Sequence, residues 1–378
     1  MKGRSALIAV TLIVLATIVA CGGPAATPTP TPKPAPTATT APVAPAAPKE
    51  IALEFLSSAE PRTDGEKAVS YLADLFLLTH PYLRVTWRAV ALPDSVNQAD
   101  KLSPDVRKHT FPAFLTPTDF LPARAGGGPA QHKYDRAYTD LLFAANLSSG
   151  GWTFITRNPE LAADPKKLVG KTIGMPYAMD APVWGSPQLL GVAILKDAWG
   201  ILDQVKLVPV GMPYVMDKFN AGEIDAAFWG IPSQMSNGTF AMPGPFTAGL
   251  QATQHYLIPV TQADADKINA ANPWKISLVT VPKGSAKVPG PPSAIVNPPT
   301  DVTVPEFGWA WAPWKDTEED IVYEMLSYIN KNIDKIKADG VRVRIGADKW
   351  AQWPGLTSDM VHPGALRFYK EQGITIGK

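Results

Sequence analysis

The residue types that carry chemistry in this chain favour binding a small anion over catalysis. Gly185-Ser186-Pro187, followed by apolar residues at helical spacing as far as Gly200, is typical of a helix that begins at this point. Backbone N–H groups at a helix start, together with the helix dipole, attract a carboxylate. We therefore expect Gly185 and Ser186 to bind a ligand carboxylate, and a capped helix without a ligand is the structural alternative.

Aromatic residues follow several predicted strands, at the sheet edge where open α/β folds bind ligands. Rings in such places favour a ligand with an apolar or planar body. Trp309 and Trp311 stand further along the chain, where packing of a hinge is the alternative role. The aromatic candidates for ligand contact and their neighbours are Tyr177, Trp184, Phe228, Trp229 and Gly230.

Polar side chains after the predicted strands of the N-terminal half form a second group of candidates. We expect them to lie in loops, where each residue by itself has an alternative role in a turn or cap. As a group facing one cleft, they are expected to include two or three ligand contacts. They are Ser57, Ser58, Glu60, Ser95, Asn97, Thr118 and Asp119.

The spacing of the reactive residues does not form a recognisable catalytic constellation. The five histidines lack the close spacing of common metal sites. The chain has neither a Gly-x-Ser-x-Gly nucleophile motif nor a phosphate-binding loop. Carboxylates such as Glu54 and Asp94, paired in a Trp-rich cleft of a sugar-cleaving enzyme, are the catalytic alternative. We predict a binding protein without a metal or cofactor.

The first fifty residues have the pattern of an exported lipoprotein. Lys2 and Arg4 precede a short apolar run, 6–20, and Cys21 follows it directly. Cys21 is the single cysteine of the 378 residues, and an unpaired cysteine in an exported protein needs a reason, which lipidation supplies. We predict a signal peptide over 1–20 and a lipid on Cys21, with an ordinary signal peptide as the alternative.

The segment 21–50 is predicted to be a linker between the lipid and the folded body. From Gly22 to Lys49 it consists almost entirely of Pro, Ala and Thr. Such a segment stays extended at roughly 3 Å per residue, so it spans up to about 80 Å. The working protein is therefore expected outside the cell, held at its membrane.

Composition restricts what the remaining body can do. The formal net charge is +1 and no dense Lys/Arg stripe occurs, so nucleic-acid binding is not expected. Because no cysteine follows Cys21, hydrophobic packing rather than disulfides must hold the fold together.

Alternating strand and helix patterns predict an α/β fold of two lobes. One βαβ series begins at Ile51 and a second begins near Trp152. We expect 152–157 and 307–312 to be the strands that cross between the lobes. Lobe one then comprises 51–151 and 312–378, lobe two comprises 152–311, and the ligand cleft lies between them.

The C-terminal run His362-Pro363-Gly364-Ala365-Leu366-Arg367-Phe368-Tyr369-Lys370-Glu371-Gln372-Gly373 resembles the terminal signature of the TAXI solute-binding proteins. Three further segments fit the family's motifs in the right order. They are Asp164–Gly174, Phe219–Phe228 and Asp320–Glu324. The similarity covers about 140–378, and it implies a periplasmic-binding-protein-like fold of type II, without catalysis, that delivers a small carboxylate to a TRAP-type permease.

The chain departs from the family at its ligand loops. Ser57–Arg62 stands where the family has a Gly-rich loop, Asp94–Asn97 keeps another loop only in part, and Tyr177–Ser186 replaces a Gly-rich helix entry. The resemblance therefore implies the fold and the transport role more strongly than the ligand. A binding lipoprotein of an ABC transporter and a lipid-anchored hydrolase are the alternatives.

The lipid anchor can be tested by replacing its attachment point. Cys21→Ser should release the protein into the soluble fraction or leave an unprocessed precursor, because serine offers no thiol to the lipid. Membrane fractionation and the mass of the N-terminal peptide measure both outcomes. Unchanged membrane attachment and processing would contradict the anchor.

Overall fold

A computed structural model of the chain describes residues 50–57, 64–80, 82–90, 94–128, 132–176, 178–180, 184–211, 214–228, 233–241, 254–287 and 297–377. The predicted signal peptide, Cys21 and the linker lie outside the described residues. Among the helices that are described, none combines the length and the apolar composition of a membrane span.

Strands and helices alternate along most of the body. The strands are β1 (Ile51–Ser57), β2 (Leu83–Ala89), β3 (Thr110–Leu115), β4 (Ala145–Asn146), β5 (Ser149–Gly150), β6 (Phe154–Thr156), β7 (Thr172–Met175), β8 (Lys206–Pro209), β9 (Ala226–Phe228), β10 (Ser233–Gln234), β11 (Phe240–Ala241), β12 (Tyr256–Leu257), β13 (Leu278–Val281), β14 (Ala286–Lys287), β15 (Val302–Pro305) and β16 (Ala310–Trp311). The helices are α1 (Asp64–Thr79), α2 (Asp94–Asp100), α3 (Pro104–Arg107), α4 (Pro117–Ala125), α5 (Pro159–Ala163), α6 (Ser186–Ala193), α7 (Val215–Asn220), α8 (Gln262–Ala271), α9 (Glu319–Lys331), α10 (Ile333–Asp339), α11 (Ala347–Trp350) and α12 (Pro363–Glu371).

Lobe one is built on a five-stranded sheet in the order β2-β1-β3-β16-β4. The first three strands are parallel, while β16 runs antiparallel to both of its neighbours. The hydrophobic cluster of this lobe draws its buried residues from Leu53 to Ala145 and from Ala310 to Tyr369. Two separate parts of the chain therefore share one core.

Lobe two is built on a second five-stranded sheet, in the order β12-β6-β9-β7-β8. Strands β8, β7 and β9 are parallel, and β6 is antiparallel to β9. Its hydrophobic cluster extends from Trp152 to Trp309 along the chain. The predicted α/β fold of two lobes is confirmed.

The two crossings between the lobes run side by side. The Trp152 N–H donates to the Pro305 carbonyl at 3.0 Å, and the Phe307 N–H donates to the Gly150 carbonyl at 2.6 Å. The rings of Trp152 and Phe307 stack with centroids 3.8 Å apart. This ladder and ring stack join the crossings into one hinge.

The structure shortens one predicted strand in the C-terminal half. The return crossing, expected to be a strand over 307–312, is a strand only over β16. Strand β15 before it pairs with β13. Helices α9 and α10 after it are separate, and the N–H of Asn332 donates to both the Tyr328 and the Ile329 carbonyls where α9 ends.

The C-terminal signature is explained by packing of α12. The His362 Nδ1 atom accepts the Gly364 N–H at 3.2 Å, and its Nε2 atom faces the Thr317 carbonyl at 3.2 Å. A side chain at Gly364 would place its Cβ 2.1 Å from the Glu319 carbonyl oxygen, so glycine allows α12 to approach α9. These signature residues therefore stabilise the packing of lobe one.

The neutral state of His362 predicts an acid-sensitive contribution to stability. Burial lowers the pKa of His362 to about 4, although backbone carbonyls favour the charged form. Because the folded pKa lies below the unfolded value near 6.5, this contribution is complete above pH 6.5 and is lost as the pH falls towards 4. His362→Asn keeps a capping oxygen without titrating. Between pH 7 and pH 4, the unfolding free energy of this variant should therefore fall by about 3 kcal/mol less than that of the parent.

Urea unfolding followed by circular dichroism at the two pH values measures this difference, with the unsubstituted protein as the reference. An identical pH dependence for His362→Asn and the parent would show that His362 is not the responsible group.

Candidate functional site

The starts of two helices meet where the lobes touch. Helix α4 of lobe one follows β3, and helix α6 of lobe two follows β7, so both starts lie beyond the carboxyl ends of parallel strands. Thr116 caps α4 in a capping box with Asp119. Gly185 is the N-cap of α6 and Ser186 is its first residue, one position earlier than the sequence pattern indicated, which favoured Ser186 as the N-cap.

The Asp119 carboxylate joins the two helix starts. Its Oδ2 atom accepts the Thr116 N–H at 2.8 Å within lobe one, and it accepts the Ser186 hydroxyl of lobe two at 2.7 Å. The Asp119 side chain is fully buried. A buried carboxylate is costly unless donors surround it, so Asp119 holds the two lobes together.

His132 completes this contact with a positive charge. Its Nε2 atom lies 2.7 Å from Asp119 Oδ1, and its Nδ1 atom lies 2.8 Å from the Trp184 carbonyl oxygen of lobe two. Both nitrogens lie close to acceptor atoms, and this arrangement favours the charged imidazolium. We call Asp119, His132, Trp184 and Ser186 the interlobe latch.

The charges and hydrogen bonds of the latch shift the pKa values of His132 and of the neighbouring Tyr134. Burial by itself lowers the pKa of His132, but the hydrogen bond and charge of Asp119 and the Trp184 carbonyl outweigh it, so the pKa lies above its usual value. Burial raises the pKa of the Tyr134 hydroxyl well above its usual range, and the Asp119 charge adds to this effect. The latch therefore favours the charged form of His132 and the protonated form of Tyr134.

The latch contains serine, histidine and aspartate but not in the order that catalysis requires. In a nucleophilic triad the histidine lies between the serine and the carboxylate, where it can take the serine proton. Here Asp119 lies between Ser186 and His132. All three side chains are buried. This arrangement can hold two lobes together, but the histidine cannot activate the serine.

The lobe-one candidates lie in regular elements rather than in loops. Ser57 is the last residue of β1. Ser95 and Asn97 belong to α2, and Thr118 and Asp119 belong to α4. The expectation of loops was wrong because each strand is followed within a few residues by a helix. Only Asp119 among these residues makes a contact to lobe two that the structure gives.

Asn97 has a structural task within lobe one. Its Oδ1 atom accepts the Asp135 N–H at 3.0 Å and the Tyr138 hydroxyl at 2.9 Å, and its Nδ2 atom donates to the Lys133 carbonyl at 3.2 Å. Asn97 thus holds in place the segment that carries His132. It affects the latch only by positioning His132.

Ser95 has a buried polar group that the described chain does not satisfy. Its hydroxyl is fully buried and has no hydrogen-bond partner in the part of the chain that is described. The Trp184 indole N–H is likewise without a partner there. Buried donors are nearly always satisfied by protein, water or ligand. Phe228 differs, because its ring packs against Trp152 in the core of lobe two.

The other predicted site residues fall where the structure gives no description. Ser58, Glu60, Tyr177, Trp229, Gly230 and Cys21 lie outside the described residues. They stay predictions.

His132 was missed at the level of sequence. Its lack of metal-ligand spacing was taken as a lack of function, whereas its role depends on Asp119 and on a backbone carbonyl 52 positions away. No group of three or more His, Cys, Asp or Glu residues suited to a metal ion occurs in the described ranges.

Comparison with known proteins finds similarity only at the level of structure. No protein-family model and no curated protein sequence matches the chain. The periplasmic aliphatic sulphonate binding protein SsuA from Escherichia coli has 10% identity and a TM-score of 0.43, over 78% of this chain and 75% of that one. MatC from Rhodopseudomonas palustris with bound malate has 11% identity and a TM-score of 0.45, over 86% and 96%. A TctC solute binding protein from Polaromonas has 13% identity and a TM-score of 0.43, over 76% and 86%.

The charge pair in the latch predicts strong coupling between Asp119 and His132. Asp119→Asn or His132→Gln alone should lower the unfolding free energy by about 3 kcal/mol or more, because each leaves a buried charge without its partner. The double change leaves no charge, so its cost should fall short of the sum by at least about 1 kcal/mol. Urea unfolding of the three variants measures the coupling.

Ser186→Ala provides the matched control, because it removes a neutral donor and should cost only about 0.5–2 kcal/mol. Because the pKa of His132 is raised on folding, the pair's contribution is complete below about pH 6.5 and is lost as the pH rises through the folded pKa. His132→Gln should abolish that loss. Strictly additive costs would exclude the charge pair.

Proposed function

We propose that this protein is an extracytoplasmic solute-binding protein that captures a small organic acid between two lobes and passes it to a membrane transporter. No chemistry is performed on the ligand. The lobes that move are 51–151 with 312–378, and 152–311. Ligand contacts with both lobes shift an equilibrium between open and closed states towards the closed one.

The contact between Asp119 and Ser186 is the observation that carries this proposal. It spans the two lobes at the carboxyl ends of their strands, where open α/β sheets bind ligands. A cross-lobe hydrogen bond at that place supports a cleft that opens and closes. Separation of the lobes exposes Asp119, His132 and Ser186 to water, which can then hydrate them.

Ser95 from lobe one and Trp184 from lobe two are the proposed donors to the ligand, since each has a buried polar hydrogen without a partner in the described chain. The start of α6 already faces the Asp119 carboxylate, so Gly185 and Ser186 can offer only backbone N–H groups. A ligand anion needs a further positive group. Tyr177 and Trp229 are proposed to contact the ligand body.

We further propose that a lipid on Cys21 holds the protein at the outer side of the membrane and that its partner is a TRAP-type permease. The terminal signature His362–Gly373 supports this partner. A binding lipoprotein of an ABC transporter is the second candidate. The neighbouring genes separate the two, since a fused, many-helix permease favours TRAP and an ATPase subunit favours ABC.

Closure on the ligand can be measured as a distance between lobes. Asp105→Cys in lobe one and Asp203→Cys in lobe two replace exposed residues that accept spin labels. The compound that co-purifies with the full-length protein, identified by mass spectrometry, should shorten the distance between the labels, because its contacts favour the closed state. Double electron–electron resonance with and without the compound records the change.

The pair Asp105→Cys and Asp348→Cys lies within lobe one and serves as the control, with no change expected. A bound compound that leaves the interlobe distance unaltered would count against the hinged mechanism. Conversion of the compound by the protein would instead favour the hydrolase.

A further inference from the structure

The interlobe latch places a titratable ring between acceptor atoms of both lobes. Within lobe one, Nε2 of His132 lies 2.7 Å from Oδ1 of Asp119. Towards lobe two, Nδ1 of His132 lies 2.8 Å from the Trp184 carbonyl oxygen. The His132 and Asp119 side chains have no exposure to solvent, so water does not compensate for a poor contact here. The ring therefore has to satisfy two oxygen acceptors at once.

The number of protons on the ring decides how well it fits between these acceptors. A neutral imidazole has one N–H group and one bare nitrogen, whereas an imidazolium has two N–H groups. With a neutral ring, the bare nitrogen faces either the Asp119 carboxylate or the Trp184 carbonyl, and two lone pairs meet at hydrogen-bond distance. One additional proton on the pair of Asp119 and His132 removes this repulsion, whether the nitrogen or the carboxylate oxygen holds it.

The net charge of the pair acts in the same direction. With the additional proton, Asp119 and His132 together are neutral, and without it they carry one net negative charge. Burial of an unpaired charge costs far more than burial of a neutral pair. Burial by itself lowers the pKa of His132, but the hydrogen bond and charge of Asp119 together with the Trp184 carbonyl raise it above its usual value.

The other side chains that contact the pair are hydroxyl groups. The Tyr134 hydroxyl lies 3.3 Å from Nε2 of His132, and burial raises its pKa well above its usual range. The Ser186 hydroxyl donates to Oδ2 of Asp119 at 2.7 Å, and the Thr116 hydroxyl lies 2.5 Å from the same oxygen. Since these hydroxyl groups stay protonated near neutral pH, the titration there belongs to Asp119 and His132.

The two members of the pair belong to the same lobe, whereas Trp184 and Ser186 belong to the other. In the proposed hinge motion, Asp119 and His132 therefore stay together while Trp184 moves away from Nδ1 of His132. That nitrogen then faces water, which donates or accepts a hydrogen bond equally well. The open state thus tolerates the pair with or without the additional proton, and the closed state favours the pair that carries it.

We propose that closure of the lobes is coupled to the uptake of one proton by Asp119 and His132, so that the protein captures its ligand at low pH and releases it as the pH rises. This inference rests on the proposed function and adds a regulator to the same cleft. Histidine suits this task because its usual pKa near 6.5 lies close to neutral pH.

The sign of the pH dependence follows from the state that the proton stabilises. The closed state is most favoured below the pKa of the pair in the open state. This advantage is lost as the pH rises through the higher pKa of the pair in the closed state.

The interlobe distance as a function of pH tests the coupling without any ligand. The dialysed full-length protein in detergent, with spin labels at Asp105→Cys and Asp203→Cys, is measured by double electron–electron resonance at pH 6, 7.5 and 9. Above about pH 6.5, the ratio of closed to open molecules should fall by up to about tenfold for each pH unit, because one proton is lost. The same distance distribution at all three pH values, or closure at pH 9, would overturn the proposal.

A pair of histidine variants assigns the proton. His132→Gln should make the ratio independent of pH, because an amide does not titrate in this range. His109→Gln is the matched control and should keep the pH dependence of the parent, since His109 pairs with Glu318 of its own lobe at 2.8 Å. A pH dependence that survives in His132→Gln would contradict the assignment. The titration of the parent decides the coupling even if His132→Gln does not fold.

The outcomes separate this inference from the proposed function. If the pH leaves the interlobe distance unchanged but the co-purifying compound shortens it, the solute-binding function stands and the proton coupling is wrong. If a lower pH closes the lobes but the compound does not, the proton coupling stands and the hinged capture of a solute is contradicted. Labels at Asp105→Cys and Asp348→Cys, both in lobe one, should respond to neither.

Discussion

The buried charge of Asp119 is the constraint on which the arrangement of the two lobes depends. A carboxylate removed from water requires several donors and an opposite charge. Thr116 supplies donors from its own lobe, Ser186 supplies one from the other lobe, and His132 supplies the charge. Each partner sits on a different segment, so the contacts of Asp119 join three segments of the chain.

The Asp119 side chain makes both a local contact within α4 and a long-range contact with lobe two. Asp119 closes the capping box of α4 and would do so in an isolated helix start. The same oxygen accepts the Ser186 hydroxyl. The cap of α4 is therefore independent of the contact with Ser186. In the proposed hinge motion, water would replace Ser186 and the helices would stay intact.

The two crossings between the lobes are held by stacked aromatic rings and by two arginine side chains. Trp152 stacks on Phe307 where the crossings pair, and Arg342 stacks on Trp309 beside them. Arg344 pairs with Glu306 on the return crossing. The C-terminal segment after α10 thus contacts the return crossing through Arg342 and Arg344.

The sequence by itself determined the alternating elements, the two-lobe α/β fold and helices with clear end signals, such as α6 after Gly185 and α10 before Gly340, which has φ 61°. These follow from local periodicity and capping. Only the tertiary structure decided that Asp119, His132 and Ser186 meet, since their contacts join residues 67 positions apart in the chain. The stack of Trp152 on Phe307 was equally hidden, because the two rings come from distant segments that pattern and spacing do not relate.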